Sequence, residues 1–595
     1  MQSIFAWLLL LATAVAASDY HEQLTLRPLP LSSLLASFNF RSNTSFSDYA
    51  SQNFRLFPRS LAQILQHSGT RELHLRFTLG RWDAENWGAR PWDGTKEGGT
   101  GVEMWALVDA GNDEEADQKW LTLTNTLSGL FCASLNFIDE TRTIRPVKSF
   151  QPEGHHSEAA LARSRLLHGV LPHEVVCTEN LTPFLKMLPC KGKAGIASLL
   201  DGHKLFDASF QSMAIDVRPI CAEGKECVLE IEETIDMVLD INRSRRPKGN
   251  PIPRPVKAEE LICDQSKPYH SENACFPVDH LASPDWHLEQ VFGRPMKGTC
   301  PLADATVPPV CIQVPDKRHV FTSEGSVQHK GADGQSRCYT MDENNDFTLF
   351  LARPDNTGEG LEVVEPETPL LYAERSLTGY GQEKGGVQAI LTNPGNEDVE
   401  FVYLESLPWF MRIYLHTLAT HISPNTTTAV DFSTPSSDII KEIYYRPALD
   451  RVRGTQLELL LNIPAKHTVF LTYDVEKTIL RYTEYPPDAN RGFDVAASVI
   501  TTLSPRVMNL RTTSLLLYLP TPDFSMPYNV IIFTSTAIAL AFGGLYNIIV
   551  RRFVGADEGE PSPLKVKLAQ LKEMIAAKLG KKSEASEEKA AVEAQ

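Results

Sequence analysis

Leu73 to Leu79 reads LHLRFTL: Leu73, Leu75, Phe77 and Leu79 alternate with His74, Arg76 and Thr78. A period of two puts the four apolar side chains on one face of an extended strand and the three polar ones on the other. The residues just before keep a different period. Phe57, Leu61, Ile64 and Leu65 fall on one face of a short helix, with Pro58 near its start and Gly69 past its end. The spacing therefore predicts a helix followed by a half-buried strand, with His74 on the solvated face.

The same alternation recurs further along. Met213, Ile215 and Val217, then Cys227, Leu229 and Ile231, predict two more strands; Gln388–Leu391, Val399–Leu404, Gln456–Ile463 and Thr468–Glu476 predict a second β region. Short strands separated by turns indicate sandwiches rather than βαβ units. Ser157 to His168 reads as a helix ending at Gly169. Trp82, Trp87 and Trp92 lie in a Gly- and Asp-rich loop and Trp105 in the strand after it. They either plug a sheet edge or form a ligand platform. Arg243–Lys257 is a basic, Pro-rich linker, and 258–365 is irregular, with the look of loops pinned by disulfides.

Tyr528–Val550, YNVIIFTSTAIALAFGGLYNIIV, carries no charged side chain. As a helix it is about 35 Å long, enough to cross a hydrocarbon core. Arg551 and Arg552 follow, which marks the cytosolic side. Ile4–Val15 is an apolar run closed by small residues, the pattern of a cleaved signal peptide, though without a basic start. Together these features predict a single-pass type I membrane protein. Beyond the span, Leu564, Leu568, Leu571, Ile575 and Leu579 recur at helical spacing among lysines, an amphipathic basic helix suited to an anionic leaflet. A polar tail after the apolar run argues against a GPI-attachment signal.

The formal charge of −17 argues against nucleic acid as a partner. The tail from Arg551 onward holds nine basic and eight acidic residues, so nearly all the excess negative charge precedes the span. All ten cysteines lie between Cys132 and Cys338, and in an oxidising compartment such clustering predicts disulfides of undetermined connectivity. Sequons at Asn43, Asn180, Asn242 and Asn425 predict N-glycosylation.

Chemistry is harder to find. His173-Glu174-Val175-Val176-Cys177 opens like a zinc-protease helix but has Cys in the second ligand position. Gly379-Tyr380-Gly381 misses the dinucleotide spacing, and Asp342–Asp346 lacks the glycine and closing Glu of a calcium loop. No nucleophile elbow or phosphate loop is present. No catalytic residue, metal or cofactor is expected.

Four strings carry a resemblance: Glu22–Pro30 (EQLTLRPLP), Leu56–Trp87 (LFPRSLAQILQHSGTRELHLRFTLGRWDAENW), Leu171–Pro183 (LPHEVVCTENLTP) and Glu484–Val495 (EYPPDANRGFDV). Together they resemble the PIG-T family, a noncatalytic subunit of the GPI transamidase complex of the endoplasmic reticulum membrane. The resemblance implies a partner, a caspase-like catalytic subunit, joined by an intermolecular disulfide from the Cys of VVCTENLTP, here Cys177. It also implies other membrane subunits, with GPI lipid and substrate proproteins reached through the complex. With Cys177 so used, at least one more of the ten cysteines stays unpaired, and Cys132 in Gly129-Leu130-Phe131-Cys132 is the candidate for a buried free thiol. Pairing of Cys177 inside the chain, for example with Cys190, stays open.

The expected layout is mainly β: signal peptide 1–17, a β-rich lumenal domain 18–257, a Cys-rich loop segment 258–365, a second β-sandwich 366–526, the span 527–550 and a cytosolic tail 551–595. The rival functions are a lumenal glycan-binding receptor or chaperone using the tryptophan loop, and a thiol hydrolase using His173 and Cys177.

Overall fold

A computed structural model describes residues 19–221, 226–245, 261–263, 266, 275–277, 284–331, 334, 336–341, 345–353, 366–379, 381–425, 432, 435–436, 438–486, 488–521, 525–551 and 562–592. The expected signal peptide, most of the basic linker, Tyr380 and most of Asp342–Asp346 lie outside these residues. The chain divides into two compact units, Met1–Pro520 and Thr521–Gln595. Strand outweighs helix, 39% to 25%, so the protein is mainly β.

The first unit is built on an eleven-stranded sheet. Its strands in chain order are β1 (Tyr20–Leu29), β2 (Ser33–Ser45), β3 (Thr70–Gly80), β4 (Gly101–Asp109), β5 (Thr143–Ile144), β6 (Ser164–Leu171), β7 (Phe210–Ile220), β8 (Val228–Asp240), β9 (Val310–Ile312), β10 (Val327–Lys330) and β11 (Arg337–Thr340). Across the sheet the order is β10-β11-β9-β1-β2-β8-β7-β3-β4-β6-β5. LHLRFTL lies in β3, between β7 and β4. Leu73, Leu75 and Phe77 face a core that they share with Met104 of β4, Ile215 of β7 and Ile235 of β8. Two helices close that face: α1 (Arg59–Ser68), which stops at Gly69 in the left-handed conformation, and α2 (Asp113–Phe131), which buries Trp120, Leu123, Leu127 and Phe131. Each such apolar side chain contributes roughly 1.5–3 kcal/mol on burial.

Two expectations need correction here. Ser157–His168 is not one helix: Glu158–Ala162 forms a short turn of helix and the chain then extends as β6. Its second half pairs with β4, and that pairing overrides the local helical period. Nor is 258–365 only loops pinned by disulfides. β9 pairs in parallel with β1, Leu24 opposite Val310, and β10 and β11 extend that edge. Trp286, Leu288, Val291 and Phe292 enter the first core. Strands of three or four residues are too short to show a period, which is why the sequence reads as irregular there.

The second β region is a sandwich. One sheet runs β12 (Tyr372–Thr378), β13 (Lys384–Thr392), β18 (His467–Lys477), β15 (Met411–Pro424); the other runs β16 (Ile440–Arg446), β17 (Thr455–Ile463), β14 (Val399–Leu407), β19 (Val499–Ser504), β20 (Asn509–Arg511). Val387, Leu471 and Tyr473 of one meet Phe401, Leu459 and Ile500 of the other. Part of the outer face of the five-stranded sheet is covered by the first β region. Leu404 and Val499 pack with Ile144 and Phe150 against Trp105, on the second face of the first sheet. Glu458 fixes this contact by accepting the backbone N–H groups of Val147, Lys148 and Ser149 at 2.8, 2.7 and 3.0 Å.

His74 is therefore 1% exposed rather than solvated. It sits in one row across six strands: Arg41, Glu232, Asp216, His74, Trp105 and His168, each opposite the next. The rings of the tryptophan loop are largely buried, beside a cavity of about 640 Å³ lined in part by Arg81, Trp82, Asn86 and Arg90. Trp82 and Trp87 pack edge to face, and Trp82, Trp87 and Trp105 are buried, so the aromatic cluster plugs the structure and leaves only Trp92 partly open.

In the second unit, Ser525–Val550 forms a helix (α4) containing the 23-residue apolar stretch, long and apolar enough to cross a membrane. A further helix, Pro563–Val592 (α5), leaves Leu564, Leu568, Leu571 and Ile575 exposed.

Candidate functional site

One buried carboxamide holds two cysteines. Cys177 precedes α3 (Thr178–Met187), with an extended backbone at φ −148°. Its N–H donates to Asn180 Oδ1 at 2.9 Å. Asn180 Nδ2 donates in turn to the carbonyl oxygens of Phe131, 2.8 Å, and Cys132, 3.5 Å. Phe131 ends α2, and Cys132 caps it in the left-handed conformation, φ 51°. Asn180 thus joins the orphan amide at one helix start to the orphan carbonyls at another helix end. Ser134 N–H donates to Glu174 Oε1 at 2.8 Å and ties the same two segments together.

The cysteines divide sharply. Cys190–Cys300, Cys221–Cys227, Cys263–Cys275 and Cys311–Cys338 form disulfides. Cys132 and Cys177 remain as thiols. Pairing of Cys190 with Cys300 removes Cys190 as a partner for Cys177. Cys132 is free but exposed rather than buried, at the left-handed cap that follows the buried Phe131. Val175, 76% exposed, and Phe137, 62% exposed, place apolar surface on the two thiol-bearing segments.

Of the predicted glycan sites, Asn242 and Asn425 are exposed and Asn43 is half-buried on β2. Asn180 is 1% exposed. Its Nδ2, the atom a glycan would occupy, donates to the carbonyl oxygens of Phe131 and Cys132. No hydrogen bond joins His173 to Cys177 among the described residues. Burial and the charge of Arg142 push the His173 imidazole down. No cluster of three metal-ligating side chains occurs among the described residues.

Strongly perturbed titratable groups lie elsewhere, in and beside the buried row. His74 bonds Asp216 at 2.5 Å and Glu72 at 2.8 Å. Burial alone would lower its pKa; the charge of Glu153 and the bonds to Asp216 and Glu72 outweigh this and raise it to about 9. Burial would raise Glu72, yet the bonds from His74 and His156 and the His74 charge bring it down to about 2. Lys96 bridges Asp216 and Glu232 at 2.7 and 2.6 Å. Arg511 of the second β region reaches Glu103 at 3.0 Å. Glu103, which burial alone would raise, is held well below the usual carboxylate range by Arg511 and His168. These groups hold one another on the polar face of the first sheet, and Arg511 ties that face to the second β region. Alternation marked them as a polar face; nothing local marked that face as covered.

A disulfide-braced β protein with two spare thiols on one patch, carrying one helix able to span a membrane, has the make-up of a membrane-anchored component that joins other chains. The chain belongs to the family described as Gpi16 subunit, GPI transamidase component, which matches residues 4–576. It is 40% identical over 588 residues to the GPI transamidase component GPI16 of Saccharomyces cerevisiae, covering 95% of this chain and 93% of that one. It is 35% identical over 583 residues to the GPI transamidase component PIG-T homolog of Schizosaccharomyces pombe, covering 96% and 97%. To the GPI-anchor transamidase component PIGT of Homo sapiens it is 32% identical over 593 residues, covering 92% and 93%. The chain is thus a component of a multi-subunit transamidase that acts in GPI-anchor attachment.

Proposed function

We propose that this component is the noncatalytic scaffold of the GPI transamidase, holding and stabilising the caspase-like catalytic subunit through an intermolecular disulfide from Cys177. One observation carries this reading: Cys177 stays a half-exposed thiol while eight other cysteines close within the chain. A free thiol at a surface in an oxidising compartment is available to a second chain. A covalent tether makes the remaining contacts intramolecular, at effective concentrations on the order of millimolar, so modest contacts suffice for permanent assembly.

The protein resides in the endoplasmic reticulum membrane as a single-pass type I protein, its signal peptide removed near residue 17. Its β regions are lumenal and 551–595 cytosolic, with α5 on the leaflet surface. Asn43, Asn242 and Asn425 carry the glycans. The other membrane subunits, the GPI lipid and the substrate proproteins are met through the complex. The test is a non-reducing gel of the full chain in mild detergent, wild type beside Cys177→Ser, with mass spectrometry of the shifted band. A reducible heterodimer with a caspase-like protein, abolished by the substitution, is expected. Its absence would overturn the scaffold reading.

A further inference from the structure

A groove of about 440 Å³ opens at the far end of α3 from Cys177. Leu56, Leu130, Met187 and Leu302 contribute apolar lining, and Leu302 is 45% exposed. The cations that line it are Arg55, Arg59, Lys186 and Lys191, and no carboxylate lines it. All four are exposed, and none makes an ion pair among the described residues. Elsewhere in this chain cations are commonly matched: Arg41, Arg218 and Lys96 each meet Glu232. Four positive charges with no ion pair among the described residues, set around one apolar groove in a chain of net charge −17, are a local reversal of the molecule's field. The groove also meets the start of α1 at Pro58, Arg59 and Ser60, where no side chain caps the helix, so its first amides remain available to an anion.

We infer that this groove docks an acidic peptide segment with an apolar anchor, belonging to the chain that is disulfide-linked at Cys177. The inference rests on that reading of Cys177 and adds to it the surface and chemistry of the contact. α3 has ten residues, so the groove lies about 15 Å along the helix from the thiol. An extended peptide covers that span in about five residues. The segment sought is therefore an Asp/Glu-bearing stretch with one or two large apolar residues, roughly five positions from the partner's cysteine. The anchor packs on the apolar lining of Leu56, Leu130, Met187 and Leu302, and the carboxylates meet the arginines and lysines. Rim pairs of this kind set encounter rate and register.

Two experiments test this in the full chain within the detergent-solubilised complex. A photoreactive phenylalanine at Leu302 is expected to crosslink to an acidic segment of the Cys177-linked partner. The variant Arg55→Glu/Arg59→Glu/Lys186→Glu/Lys191→Glu, placed on Cys177→Ser to remove the tether, is expected to lower recovery of that partner about tenfold relative to Cys177→Ser alone, and the difference should shrink in high salt. Because the four side chains are exposed and lack ion pairs among the described residues, the thermal midpoint should stay near that of the parent. A crosslink to lipid, to a second copy of this chain or to another subunit, with the Cys177 disulfide intact, overturns the groove assignment alone. So does unchanged recovery. Loss of the disulfide-linked partner from the wild type overturns both readings.

Discussion

Truncation of Arg511 tests whether the second β region truly seals the polar face of the first sheet. Its guanidinium meets Glu103 Oε1 at 3.0 Å through Nη2 and Oε2 at 3.3 Å through Nε. The two side chains are 3% and 1% exposed. Arg511→Ala leaves a buried carboxylate whose remaining partners are His168 at 3.0 Å and the Gly99 N–H at 2.7 Å. Removing one member of a buried pair costs about 3–5 kcal/mol. The two remaining partners place this case near the lower end, about 3 kcal/mol, and loss of the cation over Trp105 and Phe150, 5.8 Å from each ring, adds roughly 0.5–1 kcal/mol. Guanidinium unfolding of the full chain in mild detergent, followed by tryptophan fluorescence, reads the loss. The double variant Glu103→Gln/Arg511→Met removes both charges together and should recover most of the stability. A loss below about 1 kcal/mol for Arg511→Ala, or a double variant no better than the single one, would show that Glu103 is hydrated and the interface open.

Other consequences are open to measurement. His74 is fully buried and its folded pKa, about 9, lies above the unfolded value near 6.5, so its stabilisation is complete below about pH 6.5 and fades as pH rises through 9. His74→Gln should flatten the unfolding midpoint between pH 7 and 9.5, and an unchanged slope would remove His74 as the cause. Glu22 runs the other way: burial pushes its carboxyl up to about 7, so ionising it above that pH destabilises the fold. Glu22→Gln should raise the midpoint at pH 8 relative to wild type and do little at pH 5. Asn180→Ala strips the Cys177 amide and the Phe131 carbonyl of their partner and should cost about 1–3 kcal/mol; glycosidase treatment of the wild type should show no mass loss from the Asn180 peptide. Cys190→Ala/Cys300→Ala opens a link between residues 110 apart and should cost about 2–5 kcal/mol, whereas Cys177→Ser in the isolated chain should cost well under 1 kcal/mol.

The sequence alone determined the features that repeat over short distances. Alternation in LHLRFTL defined a strand and its two faces, and 23 uncharged residues defined a helix long and apolar enough to span a membrane, because side-chain periodicity and segment length are local properties. The VVCTENLTP string singled out Cys177. Tertiary structure decided what lies against each face and which partner each group finds. His74 reads as solvated because a polar face usually meets water; here the Trp105 ring stacks on it and the partner that makes its burial tolerable, Asp216, lies 142 residues further along. Asn180 reads as a glycan acceptor from three residues, yet packing spends its amide on two helix ends. Cysteine pairing likewise follows which backbones pack closely, a property of long-range contacts that no local period encodes.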